Sequence, residues 1–175
     1  MKLIDLKISE YLDILLSGAF MADGSSVSGL AGAQASALVY MTADRMLKGE
    51  TERERRAALE EAKKTAESLY MEIAGSIEEE AGKNRLYIME AALKGLKAAE
   101  AVSRAGDLRG KADMGTAAAN FEAALRGGWM DILRLRKDEE KIKNYILRGE
   151  KLFSEGRKTA EAIYKEAEKA LKKEG

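Results

Sequence analysis

Residues 22–41, ADGSSVSGLAGAQASALVYM, constrain the fold more than any other stretch of this chain. From Gly24 to Ala37, eleven of fourteen residues are Gly, Ala or Ser, and no charge falls between Asp23 and Asp44. A linker would not run on into ALVYM. A membrane span needs about 20 strongly apolar residues, and this stretch has four serines and a glutamine. What is left is a buried helix that another backbone approaches closely, because side chains this small let helix axes come nearer than the usual 8–10 Å.

A second segment of the same kind, MGTAAANFEAALRGGWMDIL, lies at 114–133. The chain has no proline, and Ala, Leu, Glu, Lys and Arg dominate, so the composition favours helix throughout. Periodicity predicts six helices: about 4–17, 25–48, 52–80, 85–105, 114–137 and 138 to near the end. In the third, Leu59, Ala62, Ala66, Leu69, Ile73 and Ile77 alternate steps of three and four. In the sixth the same spacing runs from Ile142 through Gly149, Phe153, Gly156, Ala160, Ile163 and Ala167 to Leu171, a seam long enough to suggest a partner helix. Thr51 with Glu54 is expected to form a capping box. The segments AGKN (81–84) and AGDLRGKAD (105–113) are expected to be breaks. The expectation is an all-α antiparallel bundle, one domain over 1–175, whose second and fifth helices meet through Gly29, Gly32, Ala33, Ala119 and Ala123.

Composition removes several kinds of chemistry. Without histidine or cysteine there is no Ser-His or Cys-His nucleophile pair, no thiolate and no disulfide framework. Thirty cationic residues balance thirty anionic ones, which gives no general attraction to nucleic acid or to an acidic membrane. The N-terminus, MKLIDLKISEYL, carries Asp5 and Glu10 among its apolar residues and does not resemble a signal peptide, so a cytoplasmic protein is expected.

The two small-residue segments together resemble the cyclodeaminase/cyclohydrolase family of folate enzymes: the C-terminal domain of formiminotransferase-cyclodeaminase and the methenyltetrahydrofolate cyclohydrolases. In that family a first helix leads through a Pro-Gly-Gly-Gly-Ser turn into a small-residue helix, as LLSGAFMADGSSVSGLAGAQASALVYM does here. A later family segment, Ser-Asp-x-Gly-Val-Ala followed by AALRGA and Asn-Val-Arg-Ile-Asn, is similar to ADMGTAAANFEAALRGGWMDILRL. Asp113 and Gly115 fall on the family aspartate and glycine. Ala22, Asp23, Gly24 and Ser25 fall on the proline and three glycines, and Ser26 closes the turn. Asp131 stands where the family has asparagine, Leu133 and Leu135 replace its arginine and second asparagine, and Glu80-Ala81 is a remnant of an Asp-Ala pattern.

The resemblance implies a homodimer, which the seams of the third and sixth helices and Trp129 also suggest. It implies folate one-carbon chemistry, either cyclodeamination of a formimino-tetrahydrofolate or hydrolysis of the methenyl form, with no metal and no cofactor beyond the tetrahydrofolate-type substrate. Asp113 would be the catalytic carboxylate, or the N-cap of the fifth helix, or both. Asp23, Gly24, Ser25, Ser26, Gly115 and Asp131 would bind ligand at the meeting of two helix starts, although Asp23 also suits an N-cap, and Arg134 is the nearest partner for Asp131. Arg45, Lys48, Arg109 and Lys111 would meet a polyglutamate tail or remain solvated. Trp129 is better suited to the core than to stacking on a pterin. The alternatives are a family member that has lost the chemistry but keeps a folate-like ligand, and a helical module used for association alone.

Overall fold

A computed structural model describes residues 3–18, 22–77, 85–134 and 140–174. Among these residues a short 3-10 turn at Leu3–Asp5 precedes six helices and there is no strand. The helices are α1 (Ile8–Ser17), α2 (Gly24–Leu47), α3 (Arg53–Ser76), α4 (Arg85–Ala105), α5 (Leu108–Leu133) and α6 (Glu140–Glu174). Glu80, Ala81, the rest of AGKN and Leu135 lie outside the described residues.

Local chemistry sets the helix ends. α1 stops at Gly18, whose φ of 68° is a left-handed conformation that suits glycine. α2 starts on Asp23, whose carboxylate accepts the Ser25 and Ser26 amides at 3.0 and 3.1 Å. The reciprocal bond runs from the Asp23 N–H to Ser26 Oγ at 3.1 Å and completes a capping box. α3 starts one residue later than expected. Its N-cap is Glu52, which makes no side-chain cap, so the Thr51–Glu54 box does not form; Glu52 pairs instead with Arg55 at 3.0 Å.

The largest correction concerns α5. It begins at Leu108 rather than near 114, because Asp107 caps it by accepting the Gly110 amide at 2.8 Å. Most of AGDLRGKAD is therefore helix, and Asp113 lies more than a turn inside α5 instead of capping it.

The small-residue helices do pack on each other, in a register different from the expected one. Gly110 lies against Met46 and Thr42, Gly32 against Ala124, and Gly127 against Ser28, so α2 and α5 run in opposite directions. A Cβ on Gly127 would collide with the Ser28 hydroxyl, so this crossing needs the glycine. Ala119 and Ala123 are exposed, and Gly29 and Ala33 face α3 and α4 rather than α5: Gly29 meets Ile77, and Ala33 clusters with Leu69, Ile73 and Ala91. Phe121 fills the centre of the core, its ring lying in the space that Gly95 of α4 leaves empty.

The long seams are used inside the chain. On α3, Leu59, Ala62, Ala66, Leu69 and Ile73 are buried in clusters that include α2 and α4 residues. On α6, Gly149 packs on Ile132 and Trp129, Gly156 on Leu125, and Ala167 on Gly115. The partner helix of the α6 seam is therefore α5 of the same chain. Trp129 is also internal, stacked on Phe153 with ring centroids 5.7 Å apart.

Candidate functional site

The expected ligand residues separate into two groups at opposite ends of α2. Asp23, Gly24, Ser25 and Ser26 form its first turn. Asp113 packs beside its last turns, where Arg45 Nη2 donates to Asp113 Oδ2 at 2.9 Å and Thr42 Oγ1 donates to the same oxygen at 3.2 Å. Gly24 and Arg45 are 21 positions apart on one helix, which at 1.5 Å per residue is about 30 Å. Within one chain the starts of α2 and α5 do not meet. That arrangement follows from the opposed directions of the two helices, which bring the start of each to the end of the other.

At the α2 start the polar groups are turned inward on one another. Asp23 Oδ1 also accepts the Ser25 hydroxyl at 2.6 Å. Partial burial pushes the Asp23 carboxyl up. The hydrogen bonds from Ser25 and Ser26, with the nearby Arg134 charge, outweigh that burial and hold it below the usual carboxylate range. Ser26 is buried, and its Oγ lies 3.4 Å from the Tyr11 hydroxyl of α1. Gly24 is exposed, with open space where a Cβ would be. Asp131, half-buried, is 3.8 Å from Arg134, the partner its spacing suggested. The end of α5 thus lies close to the start of α2, and Asp131 joins the Asp23 group rather than Asp113.

At the other end Asp113 is three-quarters shielded from solvent and its carboxylate is paired with Arg45. Gly115 gives no ligand access, because a Cβ there would come within 3.1 Å of Ala167 on α6. Lys111 donates to the Ser103 carbonyl at 3.1 Å and pairs with Glu166. Lys48 pairs with Asp44 at 3.4 Å, and Arg109 is exposed. A groove of about 470 Å³ opens between α2 and α3. Asp44, Lys48, Arg56, Glu60 and Lys63 are among the residues that line it, and they are largely paired with one another. Sequence reading missed Thr42 as a partner of Asp113. The signal was a lone threonine in the uncharged face of α2, one turn before Arg45.

The two ends also differ in their apolar surface. Ile8, Leu12 and Leu16 form an exposed stripe on α1, which Tyr11 fastens beside the α2 start. Val27 on α2 and Met130 and Leu133 on α5 are exposed at the same end. So are Tyr145 and Leu147 on α6, just before the Gly149 contact with Ile132 and Trp129. The opposite end has fewer, Met41 on α2 and Tyr164 and Leu171 on α6, and carries the pairs of Arg45 with Asp113, Lys63 with Asp44, Arg56 with Glu60 and Lys111 with Glu166. Among the described residues no helix is long and apolar enough to cross a membrane.

No family model and no curated protein matches this chain.

Proposed function

We propose that this chain is a helical association module, an antiparallel bundle that pairs as a homodimer through the end carrying the α2 start, on a scaffold resembling the folate cyclodeaminases. The observation that carries this reading is the larger number of exposed large apolar residues at that end, Ile8, Leu12, Leu16, Val27, Met130 and Leu133 among them, against Met41, Tyr164 and Leu171 at the other. Contiguous apolar surface on a small domain marks contact with another macromolecule, and closed two-fold pairs are the commonest way to cover it. The test is sedimentation of the full chain at micromolar concentration. A dimer is expected, and Met130→Glu together with Leu133→Glu should shift it to monomer while helical content is kept. A 19.1 kDa species alone in the unaltered protein would overturn the reading.

A second reading, binding or turnover of a tetrahydrofolate derivative, is favoured by one observation: Asp113 is a shielded carboxylate fixed by Arg45 and Thr42 between two helices. Its test is binding and turnover of 5,10-methenyl- and 5-formiminotetrahydrofolate by the unaltered protein and by Asp113→Asn. Activity that Asp113→Asn abolishes without loss of stability would favour the enzyme. No binding by the unaltered protein would remove this reading.

A further inference from the structure

We infer that two copies meet on the outer sides of α2 and α5, the α2 ridge of each seated in the α5 trough of the other. This rests on the homodimer proposed above and specifies which surfaces meet.

The face is marked by an absence of charge. In a chain with 34% charged residues, α2 has none between Asp23 and Asp44, and α5 has none between Asp113 and Glu122. Burial does not explain this, because Val27, Gln34 and Met41 of α2 and Thr116, Ala119 and Ala123 of α5 are exposed. The outer side of α4, by contrast, carries Lys94, Lys97 and Arg104. Solvent-facing sides of helices are normally charged, and the centre of a protein contact is depleted of charge. The bordering charges are paired: Glu122 with Arg126 beside α6, Arg45 with Asp113 at one end and Asp131 with Arg134 at the other.

The two exposed stripes are neighbours. Ala123 follows Phe121, which points at α4, by two positions, and Gln34 follows the inward Gly32 by two. Two positions are about 200° around a helix, so both stripes face away from the core. The contacts of Gly110, Ala124 and Gly127 with α2 set them side by side.

Their shapes differ, and that difference selects a second copy. Val27, Leu30, Gln34 and Met41 make a ridge on α2, while Thr116, Ala119 and Ala123 leave a trough on α5. A two-fold axis running between the stripes, along the helices, lays each ridge in the partner's trough and fills both at once. Another protein would have to bring its own ridge and trough at the same separation. With this axis the Val27 and Met130 ends of the two copies lie together, at the end proposed above. The area also fits. α2 has 24 residues and is about 36 Å long, and two packed helices are about 20 Å across, which gives about 700 Å². A standard dimer buries about 800 Å² per partner.

The sequence contains no cysteine, so introduced ones report unambiguously. Chains carrying Gln34→Cys are mixed with chains carrying Ala123→Cys and treated with a short bis-maleimide. A covalent heterodimer is expected as the main product, and Gln34→Cys mixed with Lys94→Cys should give little. As a second measurement, Ala123→Leu fills the trough while adding apolar surface. Ridge-in-trough contact predicts a dimer weakened about tenfold or more, about 1.4 kcal/mol; a merely adhesive surface predicts a stronger one. Because Ala123 is exposed, helical content should be unchanged. If the protein sediments as a dimer but the Gln34→Cys and Ala123→Cys chains do not join, or if Ala123→Leu leaves dimerisation equal or stronger, this face is overturned and the dimer stands. If the unaltered protein is a monomer, both fail.

Discussion

The Arg45 guanidinium lies 2.9 Å from the Asp113 carboxylate and ties the last turns of α2 to the beginning of α5. The two side chains keep 30 and 25% of their exposure, so the pair sits between a surface ion pair and a buried one. A coupling of about 1 kcal/mol is expected from a double-mutant cycle with Arg45→Met and Asp113→Asn, read by urea unfolding. Asp113→Ala alone should cost about 1–2 kcal/mol, since it also strips Thr42 of its acceptor. Additive single effects would show that the pair does not join the two helices.

Asp23 gives a pH-dependent prediction. Its partial burial is outweighed by hydrogen bonds from Ser25 and Ser26, which hold its folded pKa below that of an ordinary aspartate. A depressed carboxyl stabilises the fold above the unfolded pKa, and that contribution is lost as pH falls through the folded pKa. At pH 7, Asp23→Ala should cost about 1 kcal/mol as a lost N-cap. The gap between the two proteins should narrow below about pH 4. Asp23→Asn should retain most of the cap and show a flatter profile. A gap that stays constant down to pH 2.5 or so would show that the carboxylate charge does not contribute.

The helix count and the close packing of α2 on α5 were legible because both rest on local signals: no proline, apolar spacing of three and four, and two runs of small residues. The register was not, because Ala119, Ala123, Ala117 and Ala124 look alike in sequence and only the contacts separate them. The α5 start was misplaced because Asp107 and Asp113 are both good capping residues, and AGDLRGKAD resembles a loop through its glycines. That shift moved Asp113 into a helix, while the opposed directions of α2 and α5 separated the two halves of the expected site. The α6 seam called for a partner, and periodicity alone cannot say whether that partner is in the same chain.

Glycines test the packing directly. A Cβ on Gly127 collides with Ser28, so Gly127→Ala should destabilise by about 1–3 kcal/mol despite the better helix propensity of alanine. Gly75, in α3, has open space at the same position. There, Gly75→Ala should stabilise by up to about 1 kcal/mol. Thermal unfolding of the two variants should move in opposite directions. A shared direction would mean that helix propensity, not the α2–α5 crossing, governs both sites.

Ser103 offers the last test. It is fully buried in α4, and among the described residues its Oγ has no hydrogen-bond partner. Its neighbours include Val102 and Ala105 of the main core, and its backbone carbonyl, not its hydroxyl, takes the bond from Lys111. A buried hydroxyl without a partner costs about 1–3 kcal/mol of desolvation. Ser103→Ala removes that cost, loses one small atom's worth of packing and raises helix propensity by a few tenths of a kcal/mol. The expected result is a gain of about 1 kcal/mol in unfolding free energy. Ser103→Val would add volume to a filled core and should lose that gain. If Ser103→Ala is instead less stable, the hydroxyl makes a bond that stabilises the α4 end next to the Lys111–Glu166 pair, and the packing around that turn must be drawn differently.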